Sequence, residues 1–161
     1  MKKTIVLAAG CFWGTQAYFR RVKGVLSTRV GYAQGHLDNP TYKEVKAQIS
    51  GHTEVCEVVY DNSIISYNEI LEHYFRIIDP TSINKQGEDE GTSYRTGIYA
   101  LDESDLSDAM VFIKNKASQY DKPIVVECEM LKIFYDAEEY HQDYLEKNPN
   151  GYCHIDLNLL K

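Results

Sequence analysis

The sequence predicts an α+β fold in which helices pack on one mixed β-sheet. Strand-like and helix-like segments intermix along the chain without the strict alternation that a doubly wound parallel sheet requires. The length of 161 residues fits one domain. A domain of about 150 residues buries roughly 68–70% of its unfolded surface, so it needs no disulfide for stability. We therefore expect a single domain over residues 1–161, with residues 148–161 as a loop-like C-terminal tail.

The first part of the chain predicts the order strand, helix, strand, loop, strand. The apolar run TIVLAA predicts a buried strand over residues 4–8, and residues 13–22 predict a helix. Residues 26–32 and 55–60 are rich in strand-forming side chains and predict two further strands. Between them, residues 33–48 contain glycine, asparagine and proline and predict a loop.

The middle of the chain predicts a helix, a long polar loop and a strand. Ser66 and Glu69 form a capping-box pattern at the start of an amphipathic segment, which ends at Pro80. Residues 81–94, TSINKQGEDEGTSY, are almost free of apolar side chains. Connections of this length are usually functional or disordered, so this loop is a candidate for a site. Residues 96–101 predict a strand.

The last part of the chain predicts two helices on either side of a strand. Residues 102–120 have acidic side chains in the first turn and an apolar face, which predicts a helix. Residues 124–134 predict a strand, and residues 136–147 predict a second helix.

Composition excludes several functional classes. A net charge of −7 and a pI near 5.2 argue against binding to nucleic acid or to an anionic membrane surface. The N-terminal apolar run is too short for a signal peptide, and no segment has the length of a transmembrane helix. The four scattered cysteines form no CxxC pair, and the histidines share no metal-ligand spacing, so we expect no metal. We expect a cytoplasmic protein in which at least one cysteine is catalytic.

Cys11 in the sequence GCFWG is the main candidate for catalysis. It lies where a strand ends and a helix is predicted to begin. Backbone N–H groups and the helix dipole favour a thiolate there, and the thiolate is the reactive form of cysteine. A buried structural cysteine is the alternative. The adjacent Phe12 and Trp13 would form an apolar wall beside the thiol, or else belong to the core.

Outside this motif, local sequence leaves the roles of the candidate residues open. Glu54 lies at the mouth of a predicted strand, where apolar surroundings would make it a general acid, although a solvated carboxylate is the more common case. Cys153 lies in the tail, which we expect to be exposed and mobile, so its sulfur could reach a distant one or could be an incidental surface thiol. Cys56 and Cys128 fall in strand-like runs and are expected in the core. His141 is expected to be an ordinary helix residue.

Five sequence blocks together resemble the peptide methionine sulfoxide reductase A family. The resemblance runs from about residue 5 to 155, and the blocks stand in the order typical of that family. They read GCFWG, VGYAQGHLDNPTYKEV, GHTEVCEVVYD, DPTSINKQGEDEGTSYRTGIY and AEEYHQDYLEKNPNGYC. The resemblance implies a two-layer α/β sandwich with a mixed central sheet and a ferredoxin-like core. It also implies reduction of methionine S-sulfoxide, free or in oxidised proteins and peptides. Thioredoxin would be the reductant, and the enzyme would act as a monomer without a cofactor.

The resemblance also assigns roles to individual residues. Cys11 would be the nucleophile, Glu54 would protonate the sulfoxide oxygen, and Cys153 would resolve the sulfenic acid as a disulfide with Cys11. Five further residues would bind substrate. Those beside the methyl group are Phe12 and Trp13, and those on the oxygen side are Tyr42, Asp89 and Tyr94.

Two departures from the family pattern and two rival functions remain. No cysteine follows Cys153 in this sequence, so we expect no relay through a third cysteine, and Cys56 does not belong to the motif. A thiol peroxidase also uses two cysteines, and a thiol-based redox sensor could signal through the same disulfide. The aromatic side chains beside Cys11 favour a methylated sulfur over a peroxide.

Overall fold

The computed structural model of the chain describes residues 1–160. Lys161, the last residue of the predicted tail, lies outside the described residues. Within them the eight strands are β1 (Lys2–Ala9), β2 (Val25–Ala33), β3 (Thr53–Asp61), β4 (Lys85–Gln86), β5 (Asp89–Glu90), β6 (Thr96–Ala100), β7 (Glu127–Met130) and β8 (Phe134–Asp136). The five α-helices are α1 (Phe12–Phe19), α2 (Tyr42–Lys46), α3 (Tyr67–Arg76), α4 (Glu103–Lys116) and α5 (Tyr144–Lys147).

Six strands form one mixed sheet, and β4 pairs only with β5. The order across the large sheet is β7-β6-β1-β3-β2-β8. All its neighbouring strands are antiparallel except β6 and β7, which are parallel. The segment β1-α1-β2-β3-α3-β6 places its four strands in the order of a ferredoxin-like unit. The α+β class, the mixed central sheet and the ferredoxin-like core are therefore confirmed.

The two faces of the sheet bury different sets of side chains, because successive residues of a strand point to opposite faces. Ile5 and Leu7 of β1 join the larger core, to which α1, α3 and α4 contribute apolar side chains. Val6 and Ala8 point the other way, into a smaller core that includes Phe134 of β8.

Helix α3 forms where the sequence predicts it, and α2 was missed. Ser66 caps α3 by accepting a hydrogen bond from the Glu69 N–H, and the Glu69 carboxylate accepts from the Ser66 N–H. The same reciprocal pair, between Thr41 and Glu44, starts α2 inside the segment predicted as a loop. Five residues are too few to show helical periodicity, so this capping box was the one available signal.

The prediction for residues 124–147 is wrong in both of its elements. The expected strand is divided into β7, which pairs with β6, and β8, which pairs with β2 at the opposite edge of the sheet. The three residues that join them span at most about 14 Å, so the sheet is curled until its edges approach each other.

The expected second helix is mostly irregular. A 3₁₀ turn over Glu139–His141 is followed by Asp143, whose φ of 53° is left-handed and interrupts any helix before α5. No helix of the described residues is long and apolar enough to cross a membrane.

Candidate functional site

Cys11 lies at the junction of β1 and α1 and is almost completely buried. It occupies the N-cap position of α1, and 7% of its surface is exposed. Burial raises the pKa of the Cys11 thiol well above its ordinary value, and the charge of Glu54 raises it further. Hydrogen bonds from the backbone N–H groups of Trp13 and Gly14 lower this pKa, but by less. The contribution expected from the helix terminus is present, and the expectation of a net lowered pKa is wrong.

Glu54 lies beneath the start of α1 with its carboxyl group buried. Its side chain points from β3 to the same face as Cys56 and is 1% exposed, so it is not a solvated carboxylate. Glu54 Oε1 accepts a hydrogen bond of 3.1 Å from the Phe12 N–H. Glu54 Oε2 is buried without a partner among the described residues. Burial raises the pKa of Glu54 to about 8, so this group carries a proton at neutral pH.

Neutral Glu54 changes the balance at Cys11. Because the protonated carboxyl group bears no charge, its repulsion of the thiolate disappears below about pH 8. The N–H groups of Trp13 and Gly14 then lower the pKa of Cys11 against the effects of burial and of the charge on Asp89. The site can therefore combine a buried proton donor with a nucleophilic sulfur.

The burial of Glu54 also predicts a pH-dependent loss of stability. A carboxyl pKa that rises on folding means that the native state binds more protons, so stability falls as pH rises from about 4.5 to about 8. Urea unfolding between pH 5 and pH 9 should show wild type losing a few kcal/mol relative to Glu54→Gln, at about 1.4 kcal/mol per pKa unit. Parallel pH profiles of the two proteins would contradict the buried position of this carboxyl group.

An aromatic wall next to Cys11 is held by a histidine that the sequence analysis missed. The Trp13 indole N–H donates a hydrogen bond of 2.9 Å to His141 Nδ1, and the indole stacks on Tyr144 with ring centroids 3.8 Å apart. The His141 ring also lies 5.2 Å from the Phe12 ring and 4.5 Å from the Tyr42 ring, between centroids. His141 is therefore the centre of the aromatic cluster and not an ordinary helix residue.

Three further predicted residues lie on the polar side of Glu54. Burial and the charge of Glu54 raise the pKa of Tyr42 to about 12, and the same two causes raise the pKa of Tyr94. Burial raises the pKa of Asp89, whose Oδ2 has no partner among the described residues. The charge of Asp89 also acts on Cys11. The structure thus brings Tyr42, Tyr94 and Asp89 close to Cys11 and Glu54, where the family resemblance places them.

Glu138 positions Tyr42 and is a second residue that the sequence analysis missed. Its Oε2 accepts a hydrogen bond of 3.0 Å from the Tyr42 N–H, and its Oε1 accepts one of 2.8 Å from the Tyr32 hydroxyl. Tyr32 in turn packs beside Phe12. Glu138 and His141 both lie in the block AEEYHQDY, whose membership of the family pattern was the only signal of their position.

The C-terminal tail is docked against the site, so the prediction of a mobile, exposed Cys153 is wrong. Ile155 is buried in the larger core. His154 Nε2 lies 2.8 Å from the Ala9 carbonyl oxygen. Cys153 is half-buried over the first turn of α1, where a methyl group placed on Gly14 would lie 3.0 Å from its Sγ. The predicted resolving residue therefore lies above the helix that Cys11 begins.

The other two cysteines are separate from this arrangement. Cys56 is fully buried in the core, and its pKa is raised by burial, which makes it an inert thiol. Cys128 is half-buried on β7. All four cysteines are free thiols. Among residues 1–160, no group of three or more His, Cys, Asp or Glu side chains is arranged to hold a metal ion.

Comparison with known proteins gives one consistent family. The family model described as "Peptide methionine sulfoxide reductase" matches residues 3–161. A relative from Clostridium botulinum named "Peptide methionine sulfoxide reductase MsrA" is 57% identical over 159 residues, which cover 97% of this chain and 99% of the relative.

Solved structures agree with this result. The reduced form of Mxr1 from Saccharomyces cerevisiae is 39% identical, with a TM-score of 0.92 over 96% of this chain and 91% of Mxr1. Mxr1 in complex with Trx2 is similar to this chain with a TM-score of 0.65, at 30% identity over 89% of this chain and 84% of the other.

Proposed function

The chain belongs to the peptide methionine sulfoxide reductase family, and from this premise we propose that it reduces methionine S-sulfoxide, free or in oxidised peptides and proteins, through Cys11. The observation that carries the proposal is the pairing of the Cys11 thiol with a buried, protonated Glu54 beside an aromatic wall. A sulfoxide has an electrophilic sulfur, a poor leaving oxygen and apolar substituents. It therefore needs a thiolate, a proton donor and an apolar pocket at one place.

In the first step, the Cys11 sulfur attacks the sulfoxide sulfur while Glu54 gives its proton to the sulfoxide oxygen. This attack forms an S–S bond as the S–O bond of the substrate breaks, and the oxygen leaves as hydroxide. The hydroxide then adds to the Cys11 sulfur, the S–S bond breaks, methionine leaves with its electron pair, and Cys11 becomes a sulfenic acid. The proton lost by the thiol balances the one that Glu54 supplied. In sum, a thiol and a sulfoxide give a sulfenic acid and a thioether.

Substrate selection follows from the two sides of the site. Trp13 is half-buried and offers an apolar surface to the sulfoxide methyl group, and Phe12, which is 1% exposed, supports this surface from the core. Tyr42, Asp89 and Tyr94 offer polar groups to the oxygen side of the sulfoxide. Hydrogen peroxide has no apolar substituent to bury, so the wall favours a methyl sulfoxide over a peroxide. Turnover of a methionine sulfoxide peptide should therefore greatly exceed turnover of hydrogen peroxide. A redox sensor would show no catalytic turnover with dithiothreitol and the peptide.

The hydrogen bond from Trp13 to His141 should strengthen substrate binding, because it fixes the orientation of the indole ring. His141→Phe removes the acceptor of the indole hydrogen bond, whereas His141→Asn retains an acceptor near the position of Nδ1. Because a net hydrogen bond contributes about 0.5–1.5 kcal/mol, we expect kcat/KM to fall roughly 2- to 10-fold in His141→Phe, mainly through KM. His141→Asn should retain more of the activity. Equal losses in the two variants would mean that ring packing, and not the hydrogen bond, orients Trp13.

Cys153 completes the cycle. Its thiol attacks the Cys11 sulfenic acid, a disulfide forms between the two residues, and water leaves. A dithiol then reduces this disulfide by exchange. Thioredoxin is the proposed dithiol, and the complex of Mxr1 with Trx2 supports this choice.

Cys153→Ser should separate the first step from turnover. We expect about one methionine per enzyme molecule in the absence of reductant, and no steady-state turnover with thioredoxin. Rapid-quench measurement of methionine and a thioredoxin-coupled assay would test this, with Cys128→Ser as the matched cysteine control. Full thioredoxin-dependent turnover of Cys153→Ser would transfer the resolving role to Cys56 or Cys128.

We further propose that residues 1–161 act as one domain, as a monomer and in the cytoplasm. Each Cys11 has its own Glu54 and Cys153 on the same chain, so no second copy is required. Sedimentation of the reduced protein at micromolar concentration tests the monomer.

A further inference from the structure

We propose that His154 is the general base of the disulfide-forming step and takes the thiol proton of Cys153 through Nδ1. This inference rests on the proposed function, in which Cys153 attacks the Cys11 sulfenic acid. A thiol must lose its proton to attack effectively, because the thiolate is the nucleophile. The proton lost by the Cys11 thiol replaces the one that Glu54 supplied in the preceding step, so Glu54 is again protonated and the later step needs another base.

The hydrogen bond to β1 fixes the tautomer of His154. Its Nε2 lies 2.8 Å from the carbonyl oxygen of Ala9, which is only an acceptor, so Nε2 carries the ring proton. In the neutral ring, Nδ1 then holds a free lone pair. Nδ1 is buried and has no hydrogen-bond partner among the described residues. A buried acceptor without a partner is uncommon and destabilising, so its presence calls for a functional explanation.

The free nitrogen and the sulfur that needs a base both approach the same glycine of α1. A methyl group placed on Gly14 would lie 3.0 Å from Cys153 Sγ and 3.4 Å from His154 Nδ1. Both atoms are therefore within 3.4 Å of one point over the first turn of α1. Gly14 lies three positions after Cys11, so this point is close to the helix end at which the sulfenic acid would form.

In the reduced structure the thiol of Cys153 is directed elsewhere. Its Sγ donates to the carbonyl oxygen of Ile155 at 3.2 Å, which keeps the proton on sulfur. The proposal requires this hydrogen bond to break and the thiol to turn about the Cα–Cβ bond of Cys153, a rotation that leaves the backbone of the tail in place. The tail itself is held by the Ala9 hydrogen bond and by Ile155 in the core.

The surroundings keep the ring neutral at working pH. Burial lowers the pKa of His154, and the Ala9 carbonyl and the charge of Asp89 offset part of this effect. The titratable groups that face the ring in the described structure are Asp89 on β5 and, within the tail, Tyr152 and Cys153. A neutral imidazole is the form that can accept a proton.

The step balances without an external reagent. The proton of the Cys153 thiol moves to His154 Nδ1, and the thiolate attacks the sulfur of the Cys11 sulfenic acid. The S–S bond forms as the S–O bond breaks, and the leaving hydroxide takes the proton back from the imidazolium and departs as water. The Cys153 sulfur is oxidised and the Cys11 sulfur is reduced, in equal measure.

Two variants distinguish the role of His154 as a general base from its role in holding the tail against β1 through the Ala9 hydrogen bond. His154→Gln retains a side-chain N–H that can donate a hydrogen bond to the Ala9 carbonyl but cannot act as a base, and His154→Ala removes both functions. The reduced proteins are mixed with an S-sulfoxide peptide and quenched at intervals. Methionine and the Cys11–Cys153 disulfide are then quantified by mass spectrometry between pH 6.5 and pH 9. Methionine release, which precedes the step, serves as the reference rate in each protein.

We expect His154→Gln to form the disulfide about 10²-fold more slowly than wild type at pH 7 relative to methionine release, since general bases contribute roughly 10²–10⁴-fold. Its rate should rise about tenfold per pH unit as hydroxide replaces the base, while wild type stays nearly level above pH 7. Added imidazole should restore part of the rate.

Other outcomes would overturn the inference. If His154→Gln forms the disulfide at the wild-type rate and with the wild-type pH dependence, His154 is not the general base, and the proposed function remains intact. A slow His154→Ala with a normal His154→Gln would make His154 an anchor of the tail only. A wild type that releases methionine without forming the Cys11–Cys153 disulfide would instead overturn the resolving role of Cys153 itself.

Discussion

Cys11→Ser should abolish sulfoxide reduction, with a loss of roughly 10⁴-fold or more in the single-turnover rate of methionine release. Serine fills nearly the same volume, but its hydroxyl group is not ionised at neutral pH and is a much weaker nucleophile. Cys11 is also a free thiol at the start of α1 with a buried carboxyl group beneath it. Rapid-quench assays with a methionine S-sulfoxide peptide would measure the loss.

Cys128→Ser is the matched control for this experiment, because Cys128 lies on the edge strand β7, which β6 separates from β1. It should retain the wild-type rate. Thermal unfolding should show that Cys11→Ser remains folded, so that loss of activity reports chemistry. Sulfoxide reduction that persists in folded Cys11→Ser would refute the assignment of the nucleophile.

Glu54→Gln should slow methionine release by roughly 10²–10⁴-fold, the usual contribution of a general acid. Glutamine can still accept the hydrogen bond from the Phe12 N–H, but it has no acidic proton to deliver. Single-turnover kinetics would isolate this step from the later reduction of the disulfide. Glu57→Gln is the control, because Glu57 lies on the same strand but its side chain is partly exposed and pairs with Arg29.

The pH dependence of the same step gives a second measure of Glu54. A general acid must be protonated, and burial raises the pKa of Glu54 to about 8. The wild-type rate should therefore fall as pH rises through about 8, and this fall should be missing in Glu54→Gln. An unchanged single-turnover rate in Glu54→Gln would remove Glu54 from the role of proton donor.

The sequence was most informative where one short segment contains both the signal and its structural cause. Ser66 and Glu69 hydrogen-bond to each other, so their pattern alone predicts the start of α3. The strand end and helix start around Cys11 are likewise visible in six or seven consecutive residues. The resemblance extended this local information to Glu54, and the structure places Glu54 beneath Cys11.

What the sequence could not supply are contacts between distant segments. Trp13 and His141 are 128 positions apart, and neither position alone indicates the hydrogen bond between them. The pKa of Cys11 was expected to be lowered because its helix end is local, whereas its burial depends on the fold around it. The prediction for residues 124–147 is wrong because β7 and β8 pair at opposite edges of a curled sheet. The pattern of apolar residues within this segment does not indicate which edge each strand joins.

In the proposed mechanism Cys11 takes the sulfoxide oxygen, and Cys153 then resolves the Cys11 sulfenic acid. Mass spectrometry of the fully reduced protein, after reaction with excess methionine S-sulfoxide peptide in the absence of any reductant, measures both steps at once. We expect about one methionine per protein molecule and a disulfide that joins Cys11 to Cys153, with Cys56 and Cys128 still reduced. Methionine formation with Cys11 left as a free thiol, or a disulfide that does not include Cys11, would refute this mechanism.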